Sequence, residues 1–207
     1  MQVTYDLAIA KVALQIQLTE KLRFNNLFIH IGMFHVMMAY FKSIGKFINN
    51  CGISTVMINS DLFASGSVNG FLEGKHFNRC KRLHSIIYLA INILHFENFA
   101  ALENIEITDQ VKEYLQDLIK HRSERPTVQN RELENLFDKY DDYKQKTLHG
   151  KHGKTPQFYL MYAQLIEYFF ILNMSIRTGD FKLFKFILPK IANIFFIFNQ
   201  QNYSRTW

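Results

Sequence analysis

The sequence predicts a mainly α-helical protein, a helical bundle with a small two-stranded parallel β element near its N-terminus. Three observations predict it. Two β-type runs, Val3-Thr4-Tyr5-Asp6 and Leu27-Phe28-Ile29-His30-Ile31, flank a helical segment from Leu7 to about Thr19. That is the order of a βαβ unit, in which the crossover makes the strands parallel. Beyond residue 33, apolar residues recur at spacings of three and four, and Gly or Pro falls between the periodic segments.

From Phe34 the apolar positions Phe34, Met37, Met38, Phe41, Ile44 and Ile48 predict a helix ending near Asn49-Asn50, stopped by Gly52. Ser54–Asp61 reads as a short helix. Ser65-Gly66-Ser67 is a turn whose second serine can cap another short helix, through Leu72. Gly74 ends that one, and a long helix runs from about Lys75 to Asn98. Charged helices follow near Asp109–Ser123 and Asn130–Lys144, with Pro126 as the break between them. Residues 145–155 form a polar, glycine-containing loop, read as a flexible linker. Pro156 suits the first turn of a helix to about Arg177. Gly179 ends it, Asp180 can cap the next, and Phe181–Asn199 is the last apolar segment.

With 207 residues, 48% of them hydrophobic, the chain can bury a sizeable core and is not a disordered polymer. Its 20 Phe and 10 Tyr accompany much Ile, Asn and Lys, the composition of an AT-rich coding sequence, so aromatic richness carries little functional weight. Two cysteines, Cys51 and Cys80, exclude a disulfide-dense scaffold and fit a reducing compartment. No signal-peptide pattern is visible, which reads as an intracellular, non-secreted chain with a nuclear location open. The net charge of +6 is uneven: residues 1–97 carry 9 basic and 5 acidic residues, 98–150 carry 8 and 11, and 151–207 carry 7 and 2. The basic ends could meet a polyanion; an ordinary solvated surface is the competing reading.

Asp6, at the end of one β-run, and His35, just after the next, form the first candidate site. Carboxylates at adjacent strand ends can hold Mg²⁺ or Mn²⁺ for phosphoryl transfer. The bland alternative is that Asp6 caps the following helix and His35 packs or faces solvent. Lys75, Arg79 and Arg82, at spacings of four and three, form a basic helical face suited to a phosphate backbone, with Lys182, Lys185 and Lys190 as a second contributor. His76, Cys80 and His84 do not make a metal site: the two histidines would stand roughly 12 Å apart along a straight helix. No metal-binding set is therefore expected.

Phe158–Ile176 approaches the length of a membrane span, yet Glu167 lies at its centre and Lys182, Lys185 and Lys190 follow. A buried hairpin is the preferred reading over a membrane hairpin at 158–198. Asn202-Tyr203-Ser204-Arg205 could stack on a base or a partner, or simply fray.

Two resemblances rest on named pieces. Thr4-Tyr5-Asp6, Ile31-Gly32-Met33-Phe34-His35, the run from Gly70 to His84 and the terminal Asn202-Tyr203-Ser204-Arg205 resemble a mobile-element-associated family of long animal proteins of unassigned activity. More loosely, the order of strand ending in Asp6, helix, strand and Gly32-Met33-Phe34-His35 resembles RNase H-like cut-and-paste transposases with an Asp-Asp-Glu triad. There the second catalytic Asp ends a strand and the next strand leads into Cys-x-x-His. Asp6 would match that Asp and His35 that His, with Gly32 at the Cys position.

The resemblance implies that residues 1–50 are a partial RNase H-like βαβ-α segment and that 51–207 correspond to a helical insertion before the final acidic residue. Strands bearing the first Asp would then precede Met1, and the helix bearing the Glu would follow Trp207. One Asp cannot hold two metal ions, so the resemblance implies a truncated, transposon-derived, catalytically inactive product with residual DNA binding. Mg²⁺ or Mn²⁺ would matter only to a longer product with a complete triad. The alternative is a non-enzymatic helical protein-interaction module whose apolar C-terminal helices dock on a partner or on a second copy of the chain.

Overall fold

The computed structural model describes residues 2–62, 64–105, 108, 109, 112 and 131–204. Strands β1 (Gln2–Tyr5) and β2 (Phe28–Ile31) pair in parallel, with Gln2 opposite Phe28 and Tyr5 opposite Ile31. Helices α1 (Leu7–Thr19) and α2 (Lys21–Phe24) make the crossover. The return is fixed by the Gln17 amide, whose Nε2 donates to the carbonyls of Phe24 and Leu27 at 3.0 and 2.6 Å. The remaining elements are α3 (Met33–Ile48), α4 (Ile53–Asn59), a 3-10 turn (Ser65–Ser67), α5 (Val68–Leu72), α6 (Phe77–Leu102), α7 (Arg131–Leu148), α8 (Lys154–Thr178), α9 (Phe181–Ile197) and α10 (Gln201–Ser204). The mainly helical class with a small parallel β element is therefore the observed one.

Several boundaries shift for local reasons. His76 has a left-handed backbone, φ 60°, so α6 begins at Phe77 and Lys75 lies outside it. The Ser67 hydroxyl makes no capping bond to α5 and accepts instead from Arg79 Nη1 at 3.3 Å. The 145–155 linker shrinks to 149–153, because α7 runs on to Leu148 and α8 starts at Lys154. This short loop is tied down: Gln157 Nε2 donates to the Leu148 carbonyl at 2.8 Å, and His152 stacks on Tyr143 at 4.4 Å between ring centres. The expected helix at 109–123 and the Pro126 break lie outside the described residues, apart from isolated positions. Asp180 caps α9 as expected, its carboxylate accepting from Leu183 N at 2.9 Å.

The chain divides into two compact units, Met1–Ile86 with Gln164–Trp207, and Ile87–Ala163. Both internal boundaries fall within long helices, α6 and α8. In the first unit, Tyr40, Phe41, Ile44 and Ile48 of α3 are fully buried, as are Phe169 and Leu172 of α8 and Ile187, Ile191 and Phe195 of α9. Tyr40 places its hydroxyl on the Leu165 carbonyl at 2.9 Å, a buried polar group satisfied across 125 residues. Lys46 Nζ donates to the Phe198 carbonyl at 2.7 Å, a cation on the C-terminal end of α9. Phe34, the first member of the α3 apolar stripe, faces solvent instead.

Gly45 is the most crowded of the glycines described. A Cβ built there would stand 1.8 Å from the Leu72 carbonyl oxygen of α5, so α3 and α5 touch backbone to backbone. In the second unit the core is aromatic: Phe96, Phe99, Tyr140 and Tyr143 form edge and tilted contacts at 5.2–5.9 Å.

Candidate functional site

Both strands of the small sheet end at the same edge, and each feeds directly into a helix. Tyr5 is followed by Asp6, the N-cap of α1, and Ile31 by Gly32, the N-cap of α3. The Gly32 amide donates to the Tyr5 carbonyl at 2.7 Å, clamping the two strand ends together. A Cβ at position 32 would press to 3.2 Å on that same carbonyl, a physical reason for glycine where the resemblance would place a cysteine.

A cavity of about 360 Å³ opens at this edge. Asp6, Leu7 and Lys11 line it from α1, His35 from the first turn of α3, and Asn202 and Tyr203 from α10. The two residues singled out in the sequence are thus brought into one pocket. The Asp6 carboxylate has a structural task as well, since its Oδ1 accepts from Ile9 N at 2.9 Å and caps α1. Tyr203 is half-buried with its ring 5.2 Å from that of Phe195. Burial first, and then the nearby Asp6 charge, raise its phenol above the ordinary tyrosine value, so it remains a hydrogen-bond donor at neutral pH. Among the described residues, no group of three or more His, Cys, Asp or Glu side chains is placed to hold a metal ion.

Lys75 does not join the helical face expected of it with Arg79 and Arg82. Lys75 precedes α6 and acts, with Lys42 and Lys46, on the Glu73 carboxylate. The 2.6 Å Lys42–Glu73 ion pair is the main reason that this carboxyl titrates below its usual range. Arg79 and Arg82 are exposed at a spacing of three on α6 and do share a face. On α9, Lys182 and Lys185 are exposed, but Lys190 stands five residues beyond Lys185, about 140° round the helix. Its ammonium sits over the Tyr168 and Phe186 rings at 5.3 and 5.5 Å. Cys80 is buried with its thiol pushed up to about 11, chiefly by burial, and is unreactive. His84 is fully buried against Phe41 and Phe71.

Sequence reasoning missed a polar chain in the second unit. His95 on α6 takes Tyr140 at Nδ1 (3.0 Å) and Thr147 at Nε2 (3.1 Å), and the same Thr147 hydroxyl meets His152 Nδ1 at 2.7 Å. Thr147 also donates its one proton to the Tyr143 carbonyl, 3.0 Å away. Both imidazoles must then donate to Thr147, and a neutral His95 would keep Nδ1 as an acceptor for the Tyr140 hydroxyl. Burial, with Lys144 and His152 nearby, pushes His95 down to about 4, in agreement with that assignment. No short-range pattern could have revealed it, because its members lie 5, 45 and 52 residues apart.

Among the described residues, one helix is long and apolar enough to cross a membrane, α6 at Phe77–Leu102, rather than the 158–176 stretch of α8. No curated protein and no solved structure matches the chain. The family model described as a domain of unknown function, DUF8702, matches residues 1–207, and the chain belongs to that family.

Proposed function

We propose that the chain is a transposon-derived, non-enzymatic nucleic-acid-binding protein whose contact surface lies on the first unit. The observation that carries this reading is charge segregation. The first unit has 14 basic against 6 acidic residues, a net +8, whereas the second has 10 against 12, a net −2. A surplus of that size on 130 residues attracts a polyanion and releases its counterions on binding. Arg79 and Arg82 on α6, with Lys182 and Lys185 on α9, are the exposed cations assigned to phosphate contact. Lys190, drawn onto two aromatic rings, is assigned to packing.

The parallel strand–helix–strand order with Asp6 and His35 at one edge supports the transposase ancestry. Its pocket presents one carboxylate, and two-metal phosphoryl transfer needs several. The expected result is binding of duplex DNA that weakens as salt rises. Arg79→Ala/Arg82→Ala should lower the slope of log affinity against log salt by about 2, at about 0.9 per lost phosphate contact. No binding at low salt, or binding indifferent to salt, rejects the reading.

A second reading, self-association, is favoured by the apolar residues that α9 leaves in solvent: Phe181, Phe186, Phe196 and Ile197 are 59–78% exposed. It predicts a dimer or larger species in size-exclusion chromatography that reverts towards monomer in Phe186→Ser/Phe196→Ser. A wild-type monomer at high concentration rejects it.

A further inference from the structure

The Asp6 pocket suits neither of the simplest ligands. A bare phosphate would meet the Asp6 carboxylate, and a bare cation would meet the Lys11 ammonium. A neutral ligand is favoured, one that gives hydrogen bonds to a carboxylate, offers flat faces to rings and rests on an apolar floor. Asp6 can only accept; Asn202 both donates and accepts; Tyr203 and His35 supply rings, and Leu7 supplies the floor. A volume of about 360 Å³ is at the small end for ligand sites, which run from roughly 300 to 1,000 Å³. That is room for one heterocycle rather than for a folded segment.

Resting on the nucleic-acid reading above, we propose that this pocket takes one unpaired nucleobase of a bound strand, guanine by preference. Unstacked bases are recognised by stacking on Tyr or His rings and by hydrogen bonds to their Watson–Crick edges. Guanine presents two adjacent donors on that edge, the ring N1–H and the exocyclic amine, and so matches an acceptor-only carboxylate better than the other bases do. Asp6 retains acceptor capacity for it, since the cap to Ile9 uses one lone pair of a group that has about four. Lys11, at the pocket wall on α1, supplies a cation for the adjoining phosphate.

The test uses the full chain and two single strands, a thymidine dodecamer and the same strand with one central thymidine replaced by guanosine. The guanosine strand should bind about tenfold tighter. Asp6→Asn should erase that preference while leaving duplex binding unchanged. Asparagine caps helices as well as aspartate does, so α1 stays folded, which far-UV circular dichroism checks. Tyr203→Leu should lower the preference independently. Equal affinity for the two strands, or a preference that survives Asp6→Asn, overturns the pocket assignment and leaves salt-dependent duplex binding standing. Failure to bind any strand or duplex overturns both.

Discussion

At pH 4.5 the folded chain is expected to be on the order of 4 kcal/mol less stable than at pH 7, through two histidines held neutral inside it. His84 is fully enclosed, stacked on Phe41 with ring centres 5.1 Å apart, and burial pushes it down to about 3. His95 is pushed down to about 4. Unfolded, each titrates near 6.5, so between pH 6.5 and 4 the unfolded chain binds protons that the folded chain refuses. Stability is therefore complete above about pH 6.5 and drains as pH falls towards the folded-state values. Glu73, whose carboxyl is lowered, behaves as a carboxylate: its contribution is present above its unfolded value of about 4.5 and fades as pH falls below that. Urea unfolding at the two pH values measures the difference. His84→Leu should remove the larger share of it, because the fully enclosed imidazole has the harder charge to bury. Identical midpoints for the wild type at pH 7 and 4.5 would show that these rings are not kept neutral.

Gly45→Ala is expected to destabilise the first unit by at least about 3 kcal/mol. In an ordinary helix interior the same change would stabilise by roughly 1 kcal/mol, so even its sign is diagnostic. The reason is the 1.8 Å approach of the new Cβ to the Leu72 carbonyl oxygen, with further backbone atoms at 2.6 and 2.8 Å. Backbone cannot swing aside as a side-chain tip can. The α3–α5 contact must open, and Phe71, now 2% exposed, loses its cover. Gly66→Ala is the control, since nothing lies within 4 Å of its Cβ position. Equal thermal midpoints for the two variants would refute the close approach.

The strand–helix–strand start could be read from the sequence because its determinants are local. Asp6 sits where an N-cap belongs, the β-runs have the right length, and parallel pairing then brings Asp6 and His35 to one edge without further information. The helix at 181–197 was equally legible from Gly179 and Asp180. What could not be read depends on distant partners or on backbone geometry. The left-handed turn at His76 removes Lys75 from the helix that was to align it with Arg79 and Arg82. Asn202 and Tyr203, which complete the pocket, come from the other end of the chain and look in sequence like a fraying terminus. Gly45 resembles any helical glycine until α5 is laid against it. Thr147 looks like a loop residue until three groups converge on its hydroxyl.

The first unit is assembled from two separated stretches of chain, and this sets a timetable during synthesis. The second unit, residues 87–163, is continuous in sequence, so its internal contacts need no later segment. Residues 1–86 emerge earlier but have to wait. Tyr40 meets the Leu165 carbonyl, and Lys46 the Phe198 carbonyl, only after another 125 and 152 residues are made. At 5–20 residues per second that is an interval of roughly 6 to 30 seconds. Throughout it, Tyr40 and Phe41 of α3 lack their ring partners, Phe195 of α9 and Phe169 of α8, so the N-terminal stretch carries uncovered apolar surface of the kind chaperones bind.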